Sequence, residues 1–326
     1  MIKLSIIIPM YNAECWISNM INDIYNQTYL PKFEIVIVDD GSTDDSKKLV
    51  FELMKEKKEI IYIWQKNQKQ AVARNKGLSV AKGEKILFLD SDDRMAKTMF
   101  EKLFATNKSL IITGISKINE AGKVLQIETC SNLKKANNQK NLIATYLTKN
   151  KEMDVGLWNK LFEKKIIDCH NLTFELDNYF EDSLFVLSYL LHIEVTDIYF
   201  IEEPLYFLVK RSGSTTHTHE INLKEICDRY FELIESKLER LGVLEEKELT
   251  EILFSLKIRL VIFYLNRSIV NCDVDNAHLG IREQIRAIKI RQVFFSSIPI
   301  KYKLGFLLMK GFPKRYAVIY KKKKGV

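Results

Sequence analysis

The chain has 326 residues, enough for one large domain or two ordinary ones, and its 47% hydrophobic and 28% charged residues exclude a disordered protein. No apolar run approaches the ~20 residues of a membrane-spanning helix, and Leu4 to Ile8, closed by Pro9, is too short for a secretory leader. The formal charge of +8 is uneven: residues 282–326 hold 13 of the 50 Lys and Arg and one acid, Glu283, so this tail stands at +12 and the rest at −4.

In chain order, residues 4–9 and 33–38 read as short buried strands rich in β-branched residues, and 14–27 between them has the apolar spacing of a helix. Strand, helix, strand in this span is a βαβ unit, so the first two strands should be parallel. The pattern continues with a helix over 43–57, capped by Ser42 or Thr43, a strand over 60–64, a helix over 71–82 and a strand over 86–89. This predicts a doubly wound α/β half with its loops at the carboxyl edge of the sheet. Residues 110–115 and 124–128 read as further strands, 183–191 as a helix, and from about Ile221 the spacing is helical. Five scattered cysteines, Cys15, Cys130, Cys169, Cys227 and Cys272, with no Cys-x-x-Cys pair, suit a reducing compartment and are expected to serve packing.

The apolar run Ile86 to Leu89 ends in Asp90-Ser91-Asp92-Asp93. Charges at a strand end lie at the rim of the sheet, where ligands bind in open α/β folds. Asp90 and Asp92, with water and phosphate oxygens, would form a hard site for Mg²⁺ or Mn²⁺. Pro9-Met10-Tyr11-Asn12 ends the first strand and Val38-Asp39-Asp40-Gly41-Ser42-Thr43-Asp44 the second. Acids there can accept from a ribose or a base, although Asp-Gly-Ser-Thr-Asp is also sound turn chemistry. The chain lacks G-x-G-x-x-G after the first strand and lacks G-x-x-x-x-G-K-[ST], which disfavours a dinucleotide dehydrogenase. Nucleotide phosphates would then be neutralised by a carboxylate-bound metal with Arg74 or lysines.

These segments, with Ala73-Arg-Asn-x-Gly77 and Gly83-Glu-x-Ile-Leu-Phe-Leu-Asp-Ser-Asp-Asp93, resemble family 2 glycosyltransferases of the GT-A fold. Leu157-Trp-Asn-Lys-Leu-Phe162, Phe180-Glu-Asp182 and Pro204-Leu-Tyr206 with Arg211 and Ser214 resemble the acceptor-side motifs of bacterial members that build surface and capsular polysaccharides. The resemblance implies a Rossmann-like, mostly parallel sheet with helices on both faces, followed by a helical C-terminal segment. It implies a catalytic domain over 1–216, with a nucleotide half over 1–99 and an acceptor half over 100–216, and a helical region with a basic amphipathic tail over 217–326. Pro9, Tyr11, Asn12, Asp40, Asn67 and Arg74 are implied to hold the uridine and diphosphate, and Asp90 and Ser91 the ribose or donor sugar. Asp92 is implied as metal ligand and Asp182 as base; His217 or His219 is a further metal candidate, a solvated loop histidine being the other and favoured reading of each. Trp158, Glu181 and Arg211 are implied on the acceptor side, a core position being an equal reading of Trp158. Lys69 departs from the glycine common at its place in the family.

An inverting transfer needs a carboxylate opposite the leaving group, which Asp182 would supply, while the metal stabilises the departing diphosphate. Glu181 and Asp182 also suit the N-terminus of a helix. The tail intersperses apolar side chains from Ile298 to Ile319 with Lys and Arg before Lys321 to Lys324, which fits helices drawn to an anionic membrane surface. A nucleic-acid patch or helices packed on the protein are the other readings of it, and no recognition module favours nucleic acid. The expected function is a metal-dependent, inverting transferase that passes a sugar from a UDP-sugar to a hydroxyl of a lipid-linked glycan, at the cytoplasmic face of the plasma membrane, with a homo-oligomer left open. The alternatives are a non-catalytic partner of another transferase and a nucleotidyltransferase, the latter disfavoured by the missing glycine-rich loop.

Overall fold

The computed structural model describes residues 1–175, 179–211, 223–242, 244–271 and 274–324. Two compact units divide it: Met1–Leu142 with Asn150–Ser214, and Ile143–Lys149 with Thr215–Val326.

The first unit begins as β1 (Leu4–Met10), α1 (Ile17–Tyr25), β2 (Phe33–Asp39), α2 (Ser46–Glu56), β3 (Ile60–Trp64), α3 (Lys69–Val80) and β4 (Lys85–Phe88). Continuous apolar strands such as Ile6-Ile7-Ile8 and Ile35-Val36-Ile37-Val38 are buried completely, as a sheet covered on both faces requires. The unit continues with β5 (Arg94–Met95), α4 (Met99–Leu103), β6 (Leu110–Asn119), β7 (Val124–Glu128), α5 (Gln139–Lys149), α6 (Glu152–Val155), β8 (Lys160–Glu163), α7 (Lys164–Cys169), α8 (Glu181–Leu190) and β9 (Ile198–Lys210), the last turns of α5 belonging to the second unit.

Among the described residues the strands form one sheet in the order β3-β2-β1-β4-β8-β6-β9-β5, with β7 on the edge of β6. The first four are parallel, and their register sets Met10 opposite Asp39 and Asp39 opposite Trp64, so their carboxyl ends reach one rim. Beyond β4 the sheet is mixed: β8 runs antiparallel to β4 and β6, and β9 runs parallel to β6 through two register shifts around Gly114.

Glycines are decisive at two close approaches. A Cβ on Gly77 would fall 2.4 Å from Ile7 Cγ2, so only glycine lets α3 lie this tightly on β1. A Cβ on Gly83 would fall 2.4 Å from Ser5 N. There Gly83 N donates to Ser5 Oγ (2.7 Å), Ser5 Oγ donates to Glu34 Oε1 (2.6 Å), and Lys82 N donates to the same Glu34 oxygen (2.6 Å). Ser5 and Gly83 therefore serve the fold of the motif and not its chemistry.

Two expectations are corrected. Neither Ser42 nor Thr43 caps α2, whose N-cap is Asp45 without a side-chain cap bond. Ser42 instead accepts from Asn12 N (3.0 Å), and Asn12 Oδ1 accepts from Thr43 N (2.8 Å), so these residues join two loops. Of the described cysteines only Cys227 is buried, and Cys15, Cys130 and Cys169 are exposed, so packing does not account for those three.

The second unit is helical: α9 (Leu223–Leu241), α10 (Glu246–Asn271), α11 (Val274–Ile285), α12 (Ile290–Phe295), α13 (Ile300–Gly311) and α14 (Pro313–Lys324). Ser255, Ile258, Phe306, Met309 and Ala317 lie in its interior without exposure. Arg259 Nη1 donates to Leu147 O (2.5 Å), and Lys310 Nζ donates to Ile285 O (2.8 Å) and Ile288 O (2.5 Å), covering carbonyls at the end of α11. No described helix is long and apolar enough to cross a membrane.

Candidate active site

The rim at the ends of β1, β2 and β4 collects the motif residues. Tyr11 stands half exposed after β1, and Asn12 adopts φ 49°, held by the bonds to the Ser42–Thr43 turn. After β2 the two aspartates divide their work. Asp39 closes its own turn by accepting from Ser42 N (2.8 Å) and accepts from Tyr62 Oη (2.6 Å). Asp40, 4% exposed, accepts from Gln65 Nε2 (2.7 Å) and Gln68 N (2.8 Å), which fixes the loop before α3. Asn67 in that loop is exposed, and Pro9 is partly so. Lys69, at the first position of α3, has φ 71°, a left-handed conformation that glycine adopts without cost.

One turn into α3, Arg74 is 1% exposed and forms the hub of the site. Its Nη1 donates to Asp182 Oδ1 (2.7 Å) and approaches Glu181 Oε1 (3.5 Å), and its Nη2 donates to Asp90 Oδ1 (3.1 Å). Its guanidinium lies 5.6 Å from the Phe174 ring, and its Nε–H is buried without an acceptor. One arginine thus ties the carboxyl end of β4 to the amino end of α8. Glu181 is buried and also accepts from Gln70 Nε2.

The neighbours that aim this cluster are aromatic and amide groups. Phe88 on β4 meets Phe162, Phe174 and Phe185 edge-on at 5.4–5.9 Å, and Phe174 stacks on Phe185 at 4.3 Å. Asn75, next to Arg74, holds Phe174 at both backbone groups, donating to its O (2.9 Å) and accepting from its N (2.8 Å). Phe180, the residue before Glu181, has φ 66°, a left-handed turn that starts α8 beside Arg74. Asn75 and Phe180 lie within the sequence motifs without having been given a role there, and Gln70, four residues before Arg74, had no sequence signal.

On the other side of β4, Asp92 is ion-paired with Arg211 at the end of β9, and Arg211 also donates to Asp92 O (3.0 Å). The Arg211 guanidinium lies 4.3 Å over the Trp16 ring. Ser91 is buried, while Asp93, 6% exposed, accepts from Val209 N (2.8 Å) and from Tyr206 Oη. Tyr206 Oη accepts in turn from Asp90 N (3.2 Å). Trp158, for which an acceptor sugar and the core were equal expectations, stacks on Tyr206 with ring centroids 5.1 Å apart and is 6% exposed. The indole is therefore packed against Tyr206 of β9. Lys160, from the same motif, is buried and donates to Met153 O (2.7 Å), Gly156 O (2.5 Å) and Asn159 Oδ1 (3.0 Å). His217, His219 and Ser214 lie outside the described residues.

Burial dominates the electrostatics. It pushes the Asp182 carboxyl up to about 8 against the lowering pull of Arg74, with Glu181 and Asp90 adding to the rise. Asp92 and Asp93 are raised by burial and by neighbouring acids, Asp92 despite the opposing pull of Arg211. Burial lowers Lys160 to about 7, offset in part by Asp154 and Asp182. Carboxylates thus outnumber the arginines that pair with them, a deficit of positive charge that suits a divalent cation. Among the described residues no three His, Cys, Asp or Glu side chains converge on one point, so the partly exposed Asp92 would hold a cation only with further oxygens from a diphosphate and water.

The Glycosyl transferase family 2 model matches residues 5–169. A cholesterol galactosyltransferase of Borreliella burgdorferi is 30% identical over 75% of this chain and 70% of its own length. The glycosyltransferase EpsH of Bacillus subtilis is 28% identical over 69% of this chain, which spans only 63% of that relative. The chain spans 21% of an uncharacterized glycosyltransferase of Rickettsia felis. Among solved structures, S. aureus TarS 1-349 in complex with UDP-GlcNAc aligns with 99% of this chain and 92% of its own at a TM-score of 0.68 and 19% identity, which establishes the shared fold. Strand order, strand-end acids and family match agree, and the chain belongs to glycosyltransferase family 2 and has the GT-A fold.

Proposed function

We propose that this glycosyltransferase is inverting and metal-dependent, and moves one sugar from a UDP-sugar to a hydroxyl of a lipid-linked bacterial surface glycan. The observation that carries the reading is the Asp182–Arg74–Asp90 bridge, which sets a carboxyl of high proton affinity beside the strand ends that carry the nucleotide motifs. TarS, the neighbour of similar fold, is seen with UDP-GlcNAc, and a mannosyltransferase of Pyrobaculum calidifontis, at a TM-score of 0.51, with GDP-Man and Mn²⁺.

In this reading Asp182 takes the proton of the acceptor hydroxyl as its oxygen bonds to the anomeric carbon and the bond to the diphosphate breaks. Attack opposite the leaving group turns an α-linked donor into a β-linked product. Arg74, which the family pattern assigns to the diphosphate, spends both its Nη groups on Asp182, Glu181 and Asp90 here. Its role is to hold the base and the donor-side acid at fixed separation, and its buried charge keeps part of Asp182 ionised near neutral pH. Tyr11 and Asn67, exposed at the rim, are assigned to the base and ribose, with Pro9, Asn12 and Asp40 shaping that wall and Ser91 below the sugar. Glu181 is buried, so it supports the acceptor side through Arg74 and Gln70 rather than by contact. A divalent cation on Asp92, Mn²⁺ or Mg²⁺, supplies when bound the charge that lets UDP depart without a proton. The enzyme works as a peripheral protein on the inner face of the plasma membrane, drawn there by the basic tail.

The test is UDP release from a panel of UDP-sugars with Mn²⁺ and a lipid-linked acceptor, comparing wild type with Asp92→Ala and Asp182→Ala. Metal-dependent release lost in both variants supports the assignment; unchanged turnover in Asp182→Ala refutes it.

A further inference from the structure

The helices α12 and α13 turn an apolar surface outward. Phe294 is 62% exposed and Phe295 75%, while Val293 on the same helix is buried. On α13 the buried residues are Phe306 and Met309, and among its exposed apolar residues are Ile300 (74%), Leu304 (55%) and Leu308 (46%). Spacing of i, i+4 and i+8 places these three on one face of the helix. Lys303 Nζ donates to Phe294 O (2.7 Å) and lies 5.9 Å from the Phe294 ring, which joins α12 to α13 at this surface. Lys289, Arg291 and Lys301 are exposed around it.

We propose that this α12–α13 face is the lipid-docking surface of the enzyme, with Phe294, Phe295, Ile300 and Leu304 entering the headgroup boundary of an anionic bilayer. The proposal deepens the membrane partner of the preceding reading and rests on it. Charge decides between the occupants. A second copy seated on this face would bring together two segments each at +12, whereas an anionic leaflet neutralises the same charge. Exposed aromatic side chains beside a basic rim are the chemistry of an interfacial helix. The sequence alone suggested such helices from Ile298 onward; the most exposed aromatic residue of the surface, Phe295, lies before it.

The experiment is co-sedimentation of the full chain with phosphatidylcholine vesicles, with and without one part in three of phosphatidylglycerol, for wild type and Phe295→Asp/Ile300→Asp. Both residues are about three-quarters exposed, so the variant is expected to keep its fold and its UDP binding. The expected result is binding to the mixed vesicles that falls at least about tenfold in the double variant, and likewise on raising salt or omitting the anionic lipid. Absence of binding to the mixed vesicles overturns the proposal, as does binding that the double variant leaves intact. A dimer of the wild type that the same substitutions dissociate would give the face to a second copy, and also overturns it. UDP binding measured on the same samples separates the two readings: lipid binding without UDP binding removes the donor assignment and leaves the docking surface standing.

Discussion

Asp182 carries opposing demands from burial and from Arg74, and both are measurable. A base whose carboxyl is raised to about 8 accepts a proton only when ionised, so kcat/KM should climb with pH and level off above about 8. Asp182→Asn keeps a hydrogen-bond acceptor for Arg74 and removes the carboxylate proposed as base, and is expected to lower kcat by about 10²–10⁴-fold. The same substitution should raise Tm. A carboxyl with a folded value above its unfolded one binds protons more tightly when folded, so its contribution to stability is lost as pH rises from about 4 toward 8. The Tm advantage of Asp182→Asn is therefore expected to be absent near pH 4 and to reach about 2 °C or more by pH 8; an advantage that does not change with pH would reject the cause. Lys69 makes a simpler prediction. With φ 71° it occupies a place suited to glycine, and Lys69→Gly should stabilise by about 0.5–1 kcal/mol in urea unfolding, a loss of stability counting against strain there.

Among the elements, α3 and α8 position the chemistry and β1 and β4 position them. Gly77→Ala would drive a methyl into Ile7 across the α3–β1 contact, and because the neighbour is a β-branched side chain on a central strand, a cost of about 1–3 kcal/mol is expected from chemical unfolding. Its effect on kcat should exceed that of an equally destabilising change far from the rim, since α3 carries Arg74. Phe185→Ala removes the ring that meets Phe88, Phe162 and Phe174 under the site, and should cost about 3–5 kcal/mol. The first four strands and three helices were legible in the sequence because each is an apolar run or stripe between turn residues. The strands β8 and β9 were not assigned. Four residues beginning with Lys160 carry no period, and β9 is interrupted by Glu202, Glu203 and Pro204 where its register with β6 shifts. Those strands exist because neighbouring strands supply their hydrogen bonds, a long-range cause that local pattern does not record.

At the scale of the whole molecule the charge is divided between an acidic cluster at the rim and a basic tail. Because the rim carboxylates lack sufficient positive charge, UDP with Mn²⁺ should raise the Tm by several degrees while Mn²⁺ alone or UDP with EDTA does much less; equal shifts in all three would argue against a cation shared between Asp92 and the diphosphate. The sequence by itself determined the parallel βαβ half, the family, and which acids and arginines belong to its motifs, because these depend on hydrophobic periodicity and on short turns whose chemistry is local. Only the tertiary structure decided which of them meet. It drew Arg74 to Asp90, Glu181 and Asp182, Arg211 to Asp92, and Trp158 into the packing against Tyr206. The physical reason is that residues about a hundred positions apart become neighbours through strand order and helix packing, and burial then sets both their partners and their proton affinities.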